Sequence, residues 1–188
     1  MIFVTGAARS GTTLITRMLE ACGANLGDVG QLAENNVFKR KYLKPYLSSI
    51  GADPMGLDPL PTLSNFPPLT FNTNADLIKD PKLALIHPAL PKDAKWVIVY
   101  RDPAKVAESC LRTNFLGNRR DYDGWLEWAE QYHDRCADIE NAMTVRTQDV
   151  IDDVYALEPV AEWLGLEFDA EAVSRCINKG IWHGDETA

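Results

Sequence analysis

Long apolar runs are missing from this sequence: no stretch approaches the roughly 20 residues that a membrane-spanning helix needs. No membrane partner is expected. Basic stripes are missing too, with 19 lysines and arginines against 27 aspartates and glutamates and a formal charge of -8. Nucleic acid is held by clusters of cations that neutralise phosphates, so a nucleic-acid partner is excluded. An anionic small molecule is not, because it needs only a local group of arginines and backbone N–H groups. Cysteine is sparse, and Cys22, Cys110, Cys136 and Cys176 form neither a C-x-x-C pair nor a Cys/His ligand spacing. They read as free, mostly buried thiols, and no metal is expected. Of the few histidines, His87 lies in a turn-like His-Pro and His133 on a helical stretch. Both read as structural or solvent-exposed rather than as a general base.

What is present is the make-up of one globular domain over residues 1–188, with 46% hydrophobic and 24% charged residues. The first strand-like run begins at Met1, which leaves no room for a secretory leader, and a cytoplasmic location is the expectation.

Along the chain, strand and helix signals alternate. Ile2 to Thr5 reads as a short buried strand and Gly6 to Gly11 as a glycine-bounded turn. From Thr12 to Cys22 the apolar residues Leu14, Ile15, Met18 and Leu19 recur at helical spacing up to Gly23. Asn36 to Leu47 predicts a second helix. Gly51 to Asn74, rich in Pro, Gly, Asn and Asp, predicts a long surface loop of the kind that often forms a lid. A strand is expected over Ala75 to Lys79, and another over Trp96 to Tyr100, apolar throughout as in a sheet covered on both faces. Asp102-Pro103 then opens a helix, with Asp as the cap and Pro in the first turn. Helices are expected over Tyr122 to Asn141 and Leu157 to Leu164, with a strand from Met143 to Arg146 between them. In the first of these, Trp125, Trp128 and Tyr132 share helical spacing and read as a buried face. This alternation predicts an α/β domain: three layers, with a mainly parallel central sheet flanked by helices.

The turn carries the first chemical signal. Gly6-Ala7-Ala8-Arg9-Ser10-Gly11-Thr12-Thr13 lies between strand and helix, where backbone N–H groups and a helix N-terminus converge on one anion. A nucleoside-triphosphate loop would follow its second glycine with Lys and then Ser or Thr for magnesium. Here Thr12 stands where that Lys belongs, and the cation comes earlier, as Arg9. The run Arg-Ser-Gly-Thr-Thr after a strand resembles the 5'-phosphosulfate loop of P-loop sulfotransferases that use 3'-phosphoadenosine 5'-phosphosulfate (PAPS), with Ala8 where many members carry Pro.

A second motif follows the strand at Trp96. Arg101 sits at that strand's C-terminal end and Ser109 two turns into the next helix, at the sheet edge where open α/β folds bind ligands. The segment from Val97 to Ser109 resembles the same family's 3'-phosphate motif. Further on, Val145 to Val150 and Val160 to Leu166 are similar to the family's late strand and the helix that closes on Leu-Gly-Leu. Lys179-Gly180 with Gly184-Asp185 is similar to its Lys-Gly...Gly-Asp loop, with one residue more between the pairs.

The resemblance implies a P-loop sulfotransferase that moves a sulfuryl group from PAPS, with no metal required, to a hydroxyl or amine of a small-molecule or carbohydrate acceptor. It implies that Ala8 and Arg9, with the N–H groups of Ser10, Gly11, Thr12 and Thr13, hold the 5'-phosphosulfate. Arg101 and Ser109, with Lys179, would hold the 3'-phosphate. For the base it points first to Glu34, since other branches use a Glu shortly after the first helix, and then to Asp80 in Lys79-Asp80-Pro81-Lys82. Lys79 would orient the sulfate or the base. A carboxylate at Glu34 also suits a helix start on electrostatic grounds alone. Two rival readings stand beside this one: a P-loop kinase for a small metabolite or nucleotide, and a nucleotide-binding module without turnover.

Overall fold

The inner strands of the central sheet are buried and mostly apolar on both faces, so both faces need covering, and helices supply the cover. The computed structural model describes residues 1–52, 66–117 and 119–177. Its four strands are β1 (Ile2–Thr5), β2 (Leu77–Lys79), β3 (Lys95–Tyr100) and β4 (Ala142–Arg146). All pairings are parallel, in the order β2-β1-β3-β4. The three-layer α/β architecture expected from the sequence is the one observed.

Alternation along the strands splits the core in two. Ile2, Val4, Val97 and Val99 face one side and pack with Leu14, Ile15, Met18 and Leu19 of α1 (Thr12–Ala21). Burying each such side chain contributes about 1.5–3 kcal/mol. Phe3, Trp96 and Ile98 face the other side and pack with α4 (Pro103–Arg112) and α5 (Tyr122–Ala137) through Val106, Ala107, Trp125 and Ala129. Phe3 and Trp96 pack at a tilt, 4.8 Å between ring centroids.

Asp102 caps α4 by accepting from the N–H groups of Ala104 and Lys105, with Pro103 in the first turn, as the sequence predicts. The expected second helix begins at Asn36 but is built in pieces: α2 (Asn36–Phe38), a π-helical turn Lys39–Leu43, and α3 (Lys44–Ser49). The helix predicted to Asn141 ends at Ala137, because Ile139 and Asn141 turn the chain into β4. After β4 the chain forms α6 (Thr147–Asp152), α7 (Glu158–Leu164) and α8 (Ala170–Cys176). A 3-10 run, Pro81–Ala89, lies between β2 and β3, where no helix was expected.

The four cysteines are free and buried. Burial pushes the Cys110 thiol up to about 11 and that of Cys136 to about 12, so both remain protonated core residues. Of the proposed lid, residues 53–65 lie outside the described residues, as does Lys179.

Candidate functional site

The loop between β1 and α1 can turn so tightly because of its glycines. A Cβ on Gly6 would sit 2.4 Å from the Val99 carbonyl oxygen of the neighbouring strand. Gly11, the cap of α1, has φ 94, a left-handed conformation that glycine adopts without strain. Arg9 is left-handed as well, at φ 68, and is tied there from outside the loop.

Three donors fasten the loop by its carbonyl oxygens. Arg101 Nη1, at the end of β3, donates to Arg9 O (3.2 Å), and Thr147 Oγ1, just past β4, donates to Ser10 O (2.6 Å). The N–H of Ser10 donates to Ala7 O (3.1 Å), so the loop itself engages the Ser10 N–H that the sequence reading assigned to an anion. The first helical bond runs from Ile15 N to Gly11 O. The N–H groups of Gly11, Thr12 and Thr13 therefore open α1 with no partner within the helix, and its first turn holds no acidic side chain. Positive potential at a helix N-terminus adds to those donors. The buried hydroxyl of Ser10 has no hydrogen-bond partner among the described residues.

Arg9, Arg101 and Ser109, expected to serve two separate phosphates, form one cluster. Arg9 Nε donates to Ser109 Oγ (3.3 Å), and Ser109 and Arg101 are both buried. Beneath them, His133 Nε2 donates to Arg101 O (3.1 Å), with the ring packed at a tilt against Tyr100, 4.5 Å between centroids. Burial lowers the His133 pKa, partly opposed by that hydrogen bond and by Asp134 and Asp102. His133 is therefore a neutral support of the Arg101 backbone, in keeping with its structural reading.

Glu34, Lys79 and Asp80 lie on the other side of the loop. Lys79, at the end of β2 and 4% exposed, donates from Nζ to Leu32 O (3.0 Å) and Thr13 Oγ1 (3.4 Å), and stands 3.6 Å from Glu34. Burial lowers the Lys79 pKa, with Glu34 and Asp80 opposing it. For Glu34, burial pulls upward but is outweighed by the hydrogen bond from Lys39 and the charges of Lys79, Lys39 and Lys82. The result is a carboxyl held below its usual range, ionised between Lys39 and Lys79. Asp80 is almost wholly enclosed. It pairs with Lys82 at 2.8 Å and accepts from the Lys82 N–H at 2.9 Å, which makes it an anchor for the turn after β2.

Arg9, Thr12 and Thr13 meet Glu34 and Lys79 along a cavity of ≈ 250 Å³. Several of its walls carry no motif in the sequence: Lys39, Lys82, Leu32, Phe115 and Leu116, while the spacing of Trp128 and Tyr132 points only to a buried helix face. Trp125 alone of the aromatic trio is purely core, at 0% exposure. Tyr132 is both core and site: its hydroxyl meets Thr5 Oγ1 at 2.8 Å and donates to Pro81 O, bracing the start of the loop. Only the helical spacing of the aromatics hinted at these walls. The remainder come from segments distant in sequence.

Among the described residues no helix is long and apolar enough to cross a membrane. No family model matches the chain, and no curated protein matches it. Among solved structures, the chain is similar to the sulfotransferase domain from the Synechococcus PCC 7002 olefin synthase. That similarity has a TM-score of 0.57 and 19% identity, covering 92% of this chain and 75% of the other. The chain thus has the fold of a sulfotransferase domain.

Proposed function

We propose that this protein is a sulfotransferase whose donor is PAPS. The observation that carries the reading is the joining of two loops at one sheet edge: Arg101 and Ser109 from β3 and α4 meet Arg9 of the β1–α1 loop. The parts suit a nucleotide with two anionic ends. The N–H groups of Gly11 to Thr13 at the head of α1 suit a 5'-phosphosulfate, and Arg101 with Ser109 suits a 3'-phosphate. Arg9 bridges the two sets: Nε meets Ser109, and a guanidinium has two further amino groups for a second oxygen.

In this reading the donor, when bound, supplies an activated sulfuryl group, and the chain's own residues do the rest by position and charge. Glu34, ionised and on the cavity wall, takes the proton of the acceptor hydroxyl or amine as that atom bonds to sulfur. Lys79 holds Glu34 and Thr13 in place. Arg9 and the α1 N-terminus stabilise the negative charge left on the 5'-phosphate as its bond to sulfur breaks. The products are the sulfated acceptor and 3',5'-ADP. Asp80 is too enclosed to share the base's role and keeps Lys82 and the turn in register.

Calorimetric titration of 3',5'-ADP, 5'-AMP and ATP into wild type and Ser109→Ala tests the donor. The expected result is preference for 3',5'-ADP, weakened about tenfold by the substitution, with 5'-AMP unaffected, since a charge-assisted hydrogen bond is worth about 1.5–3 kcal/mol. Tighter binding of ATP with magnesium would overturn the reading in favour of the kinase.

A further inference from the structure

We infer that the acceptor is an uncharged hydroxyl compound with an apolar, ring-sized body, rather than a sugar, and that Leu116 helps to select it. This rests on the sulfotransferase reading and deepens it. The cavity beside Glu34 has two unlike walls. One carries Arg9, Lys39, Lys79 and Lys82 with Glu34 among them; the other is built from Leu32, Pro81, Phe115, Leu116, Trp128 and Tyr132. On the charged wall Glu34 pairs with Lys39 and Lys79, Lys82 pairs with Asp80, and Arg9, bonded to Ser109, is left for the donor in the proposed function. A sugar needs hydrogen-bonding side chains around its whole rim, because each hydroxyl stripped of water without a partner opposes binding. The second wall offers mainly carbon and ring faces. An apolar body matches it, with a single hydroxyl turned towards Glu34.

Leu116 gives this wall a built character. Its φ is 52, left-handed, in a turn where Asn114 and Gly117 are also left-handed. A leucine in that conformation is a strained outlier, and such outliers gather at ligand clamps. Helix or strand geometry would not put its side chain here; the turn does. There it joins Phe115 and Trp128, which pack partly buried against the core. Asparagine or glycine would suit the backbone better, yet the chain has a leucine here, partly buried and lining the cavity.

The test titrates 2-naphthol and N-acetylglucosamine by calorimetry into the protein saturated with 3',5'-ADP. Leu116→Gly and Leu116→Asn, both at ease in the left-handed backbone, are run beside wild type with thermal melts to confirm folding. We expect 2-naphthol to bind at least about tenfold more tightly than N-acetylglucosamine, and both variants to weaken it about tenfold without changing 3',5'-ADP binding. Equal binding of the two compounds, or 2-naphthol binding indifferent to Leu116, overturns the inference. Failure to bind 3',5'-ADP would instead sink the donor reading. The naphthol comparison, repeated without nucleotide, would then still decide whether the wall selects apolar ligands.

Discussion

Arg101 Nη1 and the carbonyl oxygen of Arg9 lie 3.2 Å apart, a hydrogen bond that joins the end of β3 to the apex of the β1–α1 loop. One guanidinium thereby holds the Arg9 backbone left-handed at φ 68, and in the proposed function it also binds the 3'-phosphate. Arg101→Ala should therefore lower both affinity and stability. Ser109→Ala removes a hydroxyl that meets the Arg9 side chain and leaves the loop's backbone fastenings intact. Expected are a loss of about 1–3 kcal/mol in stability for Arg101→Ala and almost none for Ser109→Ala, with both weakening 3',5'-ADP. Urea unfolding paired with calorimetry separates the two, and equal stabilities would show that the Arg9 carbonyl does not need its partner.

Gly6 is the next point of sensitivity. Because its added Cβ would fall 2.4 Å from Val99 O, a backbone atom of the adjacent strand, no side-chain motion can relieve Gly6→Ala. Overpacking of this kind costs up to about 3 kcal/mol, and for a chain of this size each kcal/mol lowers Tm by about 2–4 °C. A fall in Tm of up to about 6–12 °C is expected by differential scanning fluorimetry. A melt within about 2 °C of wild type would mean that β1 and β3 are not so closely apposed at this edge.

The fold was legible wherever one local rule governed a segment. The β1–loop–α1 unit could be read because Gly6 and Gly11 bound the turn and Leu14, Ile15, Met18 and Leu19 keep one helical face. Asp102-Pro103 announced α4 through its own capping chemistry. The run Pro81–Ala89 was not legible, because a 3-10 helix containing Pro88 and a kink at Ile86 has no amphipathic period. Of the candidate site, Arg9, Arg101 and Ser109 were readable as motifs, but their union was not. The contact spans 100 positions in sequence and depends on β1 and β3 being neighbours, which only the sheet order decides. The apolar wall was hidden for the same reason, since Leu32, Pro81, Leu116 and Trp128 share no segment.

Glu34 offers a test of the base. Its carboxyl is held low in the fold, so it contributes stability above its unfolded pKa of about 4.3, and this contribution is lost as pH falls through the lower folded value. Glu34→Gln should flatten that acid loss of stability, and should lower sulfate transfer to an accepted acceptor by about 10²–10⁴-fold while leaving 3',5'-ADP binding near wild type. Unchanged turnover would move the base elsewhere and leave Glu34 as the counter-ion of Lys39 and Lys79.

His133 titrates in the opposite sense to a paired histidine. Burial lowers its pKa in the fold, so between that value and about 6.5 the unfolded chain binds more protons than the folded one, and stability rises with pH across this window. Read downwards from about pH 7 to pH 5, the protein should lose stability as the unfolded state gains a proton that the folded site resists. His133→Gln can keep a donor to Arg101 O without a titrating ring, so its Tm should depend less on pH over this interval. Tm measured across the window for both proteins checks this. If the two profiles run parallel, the ring is not held neutral, and the floor beneath Arg101 carries a charge that would strengthen anion binding as the solution is acidified.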